Sequence, residues 1–293
     1  MNTSRIIEVD SMTLRTRLEK YINGDLVELQ RKYQDEMLMQ IGNPDSYLRD
    51  ELIYQSFGKM IFSHQLDANE LDNLLFQLKQ DNYLFHGIDE SGTDSVFKRS
   101  FSVLVIAAII EYDNVKPQMD KSIVQDTVKK VVEYMIAEKD TRGFIEGKGW
   151  AHSIAHGADA LEALAKHPEI THEGISKILI AIEHSLLRQV DYLDEEEERL
   201  AMIIPSLLMM QDTEKETRLW IGKMRRIVET RLDENKGLIG AYHSQRTVKN
   251  FLKSVYLILM SKELGEKVNK EVFEILEKWM YLRKDEKGIK TDE

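Results

Sequence analysis

The sequence predicts an all-α protein in which helix pairs stack into one continuous α-solenoid. Only four prolines occur in the 293 residues. Few segments alternate between apolar and polar residues, and the good helix formers Leu, Glu, Lys, Met and Ala are abundant. A pattern that recurs about every fifty residues indicates repeated helical units, because such units bury their apolar faces only by stacking.

The repeated segments share a turn or acidic stretch, then a basic residue, then an apolar run. The basic position recurs at intervals of 47 to 53 residues and is held by Arg49, Arg99, His152, Arg199 and Arg246. Equivalent positions of a solenoid lie side by side on one face. We therefore expect these side chains to form a row, which either contacts a ligand or ties neighbouring units together.

A second set of amphipathic stretches lies between the repeated segments. These stretches span residues 68–80, 119–138, 172–190, 214–232 and 268–283. In the third stretch, Ile175, Ile178 and Ile182 follow the spacing of one helix face. Each unit is therefore predicted to be a helix pair, which gives about five units in the array.

The chain divides into three parts on this reading. Residues 1–42 are predicted to form an N-terminal helical cap, 43–283 the repeat array and 284–293 a frayed polar tail. Within the array, Pro205 interrupts an apolar run. We expect a kink or break there, because proline lacks the N–H group that an α-helix needs.

Composition and charge exclude several classes of function. The absence of cysteine excludes disulfides and thiolate metal sites, and is compatible with a reducing cytoplasm. The N-terminus lacks the apolar run of a signal peptide, and the most apolar window, residues 101–110, is too short to cross a bilayer. The net charge of −11, with no Lys/Arg-rich block, disfavours nucleic acid. We therefore predict a cytoplasmic protein without a membrane partner; its oligomeric state is not predicted.

The most unusual stretch is residues 140–159, which contains four glycines, two histidines and a tryptophan. Its composition predicts a Gly-rich loop over 143–149 that leads into a helix over 150–165. On that helix His152, His156 and Asp159 fall within about 60° of one another. This stretch is the predicted functional site.

Two interpretations of the histidines remain open. Two histidines four residues apart and a carboxylate on the same face can hold a divalent metal such as zinc. The metal would activate water, with Glu146 as a further ligand or general base, so that Glu146, His152 and His156 would be catalytic. Alternatively, His152 bonds to the neighbouring unit and His156 is a core residue, and no metal or other cofactor is needed.

A binding function is the leading hypothesis, with metal-assisted hydrolysis as its alternative. Free N–H groups at a helix start attract anions, and Lys148 adds a positive charge. Trp150 is either a stacking platform or a core anchor, and residues 236–243 echo the central stretch. We predict a site for a small anionic ligand or an acidic peptide. Its predicted residues are Arg99, Arg142, Glu146, Lys148, Trp150, His152, His156, Asp159, Tyr242 and His243.

The sequence also resembles known families. Segment 43–52 (NPDSYLRDEL) resembles the second helix of a HEAT repeat, in which an acidic residue and a following arginine tie adjacent repeats; Asp94 with Arg99 and Asp194 with Arg199 repeat this arrangement. Segments 48–54 (LRDELIY), 94–105 (DSVFKRSFSVLV) and 142–159 (RGFIEGKGWAHSIAHGAD) resemble the signature blocks of the bacterial family domain of unknown function 2785. This resemblance implies a bacterial, cytosolic protein and no particular activity. A likeness to HEAT-like DNA glycosylases is disfavoured by the acidic charge.

Overall fold

The computed structural model describes residues 12–210, 212–235 and 238–280, and this part of the chain is helical apart from one short hairpin. The N-terminal helices are α1 (Leu14–Ile22), α2 (Arg31–Met39), and a π-helix (Tyr47–Tyr54) that runs directly into α3 (Gln55–Phe62). They are followed by α4 (Ala68–Leu78), α5 (Ser95–Val115), α6 (Lys121–Ala137), strands β1 (Phe144–Ile145) and β2 (Gly149–Trp150), and α7 (Ser153–Lys166). The chain continues with α8 (His172–Leu186), α9 (Glu196–Ala201), α10 (Ile203–Leu208), α11 (Thr213–Glu234), α12 (Ile239–Ser261) and α13 (Glu266–Trp279). The prediction of an all-α protein is confirmed.

The helices pack in two sets. In the first set, α5 packs along α7, α7 packs against α9 and α10, and these two helices pack against α12. In the second set, α6 packs against α8, α8 against α11, and α11 against α13. Buried apolar side chains from α1 through α13 form one continuous cluster. Within the described ranges, none of the helices has the length and apolar character needed to cross a bilayer.

The amphipathic stretches predicted from the sequence correspond to α4, α6, α8, α11 and α13. In α8 the predicted stripe of Ile175, Ile178 and Ile182 is fully buried. The helix begins after Thr171, whose hydroxyl accepts the backbone N–H of Gly174 at 3.1 Å and satisfies one free donor of the first turn. Residues 281–283 and the predicted tail 284–293 lie outside the described residues.

The predicted break near Pro205 is confirmed. Helix α9 ends at Ala201 and α10 begins at Ile203, so the break comes three residues before the proline. Pro205 has no N–H to donate to the carbonyl of Ala201, and its ring would collide with that carbonyl in a continuous helix. The break separates the short acidic helix α9 from the apolar helix α10.

Long-range hydrogen bonds join segments that lie 44 to 50 residues apart in the sequence. Asn114 donates to the carbonyl of Ala163 at 2.9 Å, across 49 residues of sequence. Arg231 donates to the carbonyl of Leu187 at 2.8 Å, across 44 residues, and Arg188 donates to the carbonyl of Glu138, across 50. Side chains on or directly after one helix thus satisfy carbonyl groups at the end of another helix.

Candidate functional site

The central stretch forms a β-hairpin. Phe144 pairs with Trp150 and Ile145 with Gly149, and residues 146–148 make the turn. Gly147 and Gly149 have φ of +74° and +78°, a region that favours glycine. The predicted Gly-rich loop is therefore a hairpin. The predicted helix start at residue 150 is wrong, since α7 begins only at Ser153 and Trp150 belongs to a strand. Because Gly149 and Trp150 pair with residues 145 and 144, they belong to a strand and not to the helix.

Other segments of the chain hold this hairpin in place. Arg49 is completely buried and donates to the carbonyls of Lys148 at 2.8 Å and Trp150 at 3.4 Å. Its guanidinium stacks 4.0 Å from the ring centre of Phe97. The ammonium of Lys148 pairs with both carboxylate oxygens of Asp94 at 2.7 Å. The hairpin is thus clamped from two segments that precede it in the sequence.

Two further predicted anion-binding cations also take part in internal contacts. Arg99 is completely buried and makes a two-pronged ion pair with the equally buried Glu138, at 2.6 and 2.9 Å. Arg142 binds Asp140 through two nitrogens, at 2.8 and 2.6 Å, and donates to the carbonyl of Thr93. Burial leaves Arg99 no surface with which to contact a ligand. Two members of the predicted row, Arg49 and Arg99, are therefore buried in contacts within the protein.

His152 ends the hairpin and precedes α7. Its N–H donates to the carbonyl of Arg142 at 3.2 Å, and the N–H of Ala151 donates to Gly143 at 2.8 Å, so the two chains stay paired up to this residue. The backbone of His152 is left-handed, with φ of 46° and ψ of 39°. This conformation costs a non-glycine residue about 1 kcal/mol or more. The imidazole packs on Trp150 with ring centres 4.2 Å apart.

Two carboxylates of the next helical segment approach His152. Ligand atoms of His152, Asp194 and Glu196 all lie within 4.8 Å of one another. The Nε2 atom of His152 is 4.0 Å from Oε1 of Glu196, and both atoms are buried without a hydrogen-bond partner among the described residues. The other oxygen of Glu196 accepts the N–H of Asp194 at 3.1 Å, which orients the carboxylate. We call these three residues the His–Asp–Glu cluster.

Gly143 allows Asp194 to reach the cluster. Oδ2 of Asp194 accepts the N–H of Phe144 at 3.0 Å. A Cβ atom on Gly143 would lie only 2.5 Å from Cβ of Asp194 and would overlap its carboxylate. The hairpin backbone can therefore pack against Asp194 only because residue 143 is a glycine.

Burial shifts the pKa of two cluster members toward their neutral forms. It lowers the pKa of His152, although the charge of Asp194 acts in the opposite direction. It raises the pKa of Glu196, whose side chain is only 1% exposed. A neutral imidazole and ionised carboxylates are the forms that bind a metal, and a cation would favour ionised Glu196.

Two of the metal ligands predicted from the sequence, His152 and His156, lie side by side, with ring centres 5.9 Å apart. Asp159 forms an ion pair with Arg199, and the ring of His156 is buried in edge contact with Phe101, 5.2 Å away. Of the predicted set His152, His156 and Asp159, only His152 belongs to the His–Asp–Glu cluster. Glu146 is exposed in the turn, at the opposite end of the hairpin from His152.

Sequence reasoning missed Asp194 and Glu196. The run from Asp194 to Glu198 is typical of a helix start, where negative charge suits the helix dipole, and α9 begins within it at Glu196. However, Glu196 and Glu197 are buried. The available signal is the recurring sequence pattern: this run directly precedes Arg199, the basic position that follows His152 by 47 residues.

The remaining predicted ligand contacts lie on two surfaces. Trp150 is 42% exposed and makes an edge contact with Phe144, so it is no core anchor. Tyr242 and His243 lie on α12, where they line a separate cavity of about 320 Å³ together with Arg246. Nε2 of His243 is 3.6 Å from a carboxylate oxygen of Asp191.

His156 makes stability depend on pH. Burial is the main cause that lowers its pKa from 6.5 to about 3; the neighbouring His152, Arg199 and Arg49 act in the same direction, and a hydrogen bond with the backbone of Ser100 opposes them. The folded protein keeps this imidazole neutral, whereas the unfolded chain binds a proton below about pH 6.5. Stability should therefore fall as the pH falls.

We expect protonation of His156 in the unfolded chain to lower the free energy of unfolding by about 2 kcal/mol as the pH falls from about 7 to about 5. Urea unfolding in the presence of a chelator, at both pH values, measures this loss. His156→Gln cannot be protonated and should lose correspondingly less stability over the same interval, whatever its absolute stability. The exposed His172→Gln is the control and should behave as the wild type. Equal pH dependence in His156→Gln and wild type would contradict the assignment.

The fold and the site define an all-α protein with a central β-hairpin that carries part of a His–Asp–Glu cluster. The chain belongs to the family described as "Protein of unknown function (DUF2785)", which it matches over residues 84–257. The match includes the hairpin, all three cluster residues and most of α12. No match was found among curated proteins or among solved structures.

Proposed function

We propose that this protein binds a divalent metal ion through His152, Asp194 and Glu196. The observation that carries the proposal is the pair of buried atoms, Nε2 of His152 and Oε1 of Glu196, which lie 4.0 Å apart without a hydrogen-bond partner among the described residues. A buried polar atom without a partner costs about 1–3 kcal/mol. A cation between the two atoms would offset this cost for both at once.

The donor set narrows the choice of metal. One imidazole nitrogen and two carboxylates suit Zn²⁺, Mn²⁺ or Fe²⁺, whereas the absence of cysteine excludes thiolate ligands. Asp194 and Glu196 follow each other closely in the sequence, and His152 approaches them from the hairpin. Three protein ligands leave further coordination positions for water or for a small ligand.

We propose that the helices form a HEAT-like α-solenoid with the site at a joint between units. The support is that helices of the same set pack in sequence order, and that hydrogen bonds recur between segments 44 to 50 residues apart. His152 would then belong to the third unit and the two carboxylates to the fourth. The cysteine-free sequence and the family resemblance lead us to place the protein in the bacterial cytoplasm.

The ligand that we expect on the metal is a small anion. Arg99, Arg142 and Lys148, the cations first considered for this role, are engaged in internal ion pairs. Arg199 is 50% exposed, and its charge acts on His152. An anion bound at an open position of the metal could accept a hydrogen bond from the guanidinium nitrogens of Arg199 that do not bind Asp159.

Metal-assisted hydrolysis is the second candidate function. It is favoured by the number of protein ligands, since catalytic zinc sites combine three such ligands with a bound water. The predicted base Glu146 lies in the turn of the hairpin, away from the cluster, and we no longer assign it this role. Hydrolysis that is lost with a chelator and in a cluster variant would distinguish this function from binding alone.

The experiment is metal analysis of the protein purified without a His tag, followed by calorimetric titration with Zn²⁺ and with Mn²⁺. We expect one ion per chain, and we expect Glu196→Gln to weaken binding by about 100-fold or more, because a charged first ligand is lost. The matched control is Glu198→Gln, on the same helix but exposed, which should bind as the wild type.

Circular dichroism of both variants in the presence of a chelator establishes that they are folded. We expect Glu196→Gln to be at least as stable as the wild type under these conditions, because a buried charge has been removed. Equal metal affinity in Glu196→Gln and wild type would reject the proposed ligand set, and so would the absence of binding in the wild type.

A further inference from the structure

Two cavities lie along α12, and the second is also lined by the segment 191–197. The first, about 320 Å³, is lined by Tyr242, His243, Arg246 and Lys249. The second, about 300 Å³, is lined by Asp191, Glu197, Arg246 and Asn250. Because Arg246 lines both, we treat the two cavities as one site, named the α12 site. Each cavity by itself is at the lower end of the range for small-molecule pockets.

One end of the α12 site is acidic. The side chain of Glu197 lines the cavity, although the residue is only 7% exposed. Its one side-chain hydrogen bond within the described part of the chain comes from the neutral amide of Asn250, at 3.4 Å. The charge of Arg246 also acts on this carboxylate, but no cation forms an ion pair with Glu197 among the described residues, so its negative charge is only partly compensated. This end therefore favours a cationic nitrogen.

The other end of the α12 site is basic. Arg246 is 54% exposed and forms an ion pair with Asp191, which also lies 3.6 Å from His243. The ion pair orients the guanidinium and leaves other nitrogens of its planar fork for a second carboxylate. Lys249 lines the same cavity, and in the described ranges it has no ion pair. This end favours a carboxylate, and the half-exposed ring of Tyr242 flanks it.

We propose that the α12 site binds a zwitterionic small molecule, namely a free α-amino acid. The carboxylate of the amino acid pairs with Arg246 and Lys249, and its ammonium group pairs with Glu197. A simple anion would be repelled by the carboxylate of Glu197, and a simple cation would be repelled by the ammonium group of Lys249. Only a ligand with both charges close together compensates both ends.

This inference is independent of the proposed metal site. Glu196 turns toward His152, whereas its neighbour Glu197 lines the cavity beside α12. The two acidic side chains thus face different elements, and neither site shares a side chain with the other. The α12 site can therefore be tested in the presence of a chelator, where the proposed metal site does not contribute.

The test is calorimetric titration with each of the common L-amino acids, up to about 10 mM, in the presence of a chelator. The amino acid that binds best is then compared with its N-acetyl derivative, which lacks the ammonium charge, and with its amide, which lacks the carboxylate. We expect each derivative to bind at least about tenfold more weakly, because each loses one charged hydrogen bond.

The variants locate the site. Glu197→Gln and Arg246→Gln should each weaken binding at least about tenfold. Lys223→Gln is the control, because Lys223 lies on α11, lines neither cavity and pairs with Glu183 of α8, so the affinity should be unchanged. Circular dichroism establishes folding; if Glu197→Gln does not fold, the exposed Arg246→Gln decides.

Three results would overturn the proposal. The first is the absence of binding by any of the amino acids at about 10 mM. The second is a derivative that binds as well as the parent amino acid, since the site would then recognise only one charge. The third is a folded Arg246→Gln or Glu197→Gln variant with wild-type affinity, since the amino acid would then bind elsewhere.

Discussion

Arg99→Met is expected to lower the free energy of unfolding by about 3–5 kcal/mol. The substitution keeps much of the side-chain volume but removes a guanidinium that is completely buried. It leaves the carboxylate of Glu138, which is also completely buried, without its partner at 2.6 Å. Carbonyls of Gly87 and Glu90, which Arg99 binds at 3.1 and 3.2 Å, also lose their donor. Urea denaturation at about pH 7 measures the loss.

The matched control for Arg99→Met is Lys148→Met, which breaks an ion pair whose side chains are 41% and 42% exposed. Such pairs contribute about 1 kcal/mol or less, so this variant should remain close to the wild type. Adding Glu138→Leu to Arg99→Met should restore part of the lost stability, because the unpaired buried charge is removed. A stable Arg99→Met variant would contradict the structural role of Arg99.

Gly143→Ala is expected to weaken metal binding by about 10- to 100-fold. Gly143 is not a metal ligand itself, but it allows the ligand Asp194 to take its position. A methyl group at this position would overlap the carboxylate of Asp194 and push it away from His152. Overpacking of this kind should also cost about 1–3 kcal/mol of stability. Calorimetric titration with Zn²⁺ and urea denaturation measure the two effects separately.

The control for Gly143→Ala is Gly147→Ala, in the turn of the same hairpin. Gly147 has φ of +74°, but a Cβ atom there would meet no atom within 4 Å. The substitution should cost about 1–2 kcal/mol through backbone strain and leave metal affinity unchanged. If Gly143→Ala bound metal like the wild type, Asp194 would not be a ligand.

The helices were predictable because their signals are local. Apolar spacing predicts α4, α6, α8, α11 and α13, and the ring of Pro205 accounts for the break between α9 and α10. The hairpin was not predictable in the same way. Its two strands have only two residues each, and their pairing is stabilised by Arg49, which lies about 100 residues earlier and donates to the carbonyl of Lys148.

The sequence by itself determined that the chain is all-α, where most of its helices run, and that His152 lies in an unusual stretch. Helix propensity and apolar periodicity act over a few residues and need no knowledge of distant partners. Only the tertiary structure decided which polar side chains meet. In the folded chain, Arg99 pairs with Glu138, and Asp159 pairs with Arg199. Asp194 and Glu196 lie beside His152. These partners lie about 40 residues apart in the chain. They meet because the helices that carry them pack against one another, and local sequence patterns do not specify that packing.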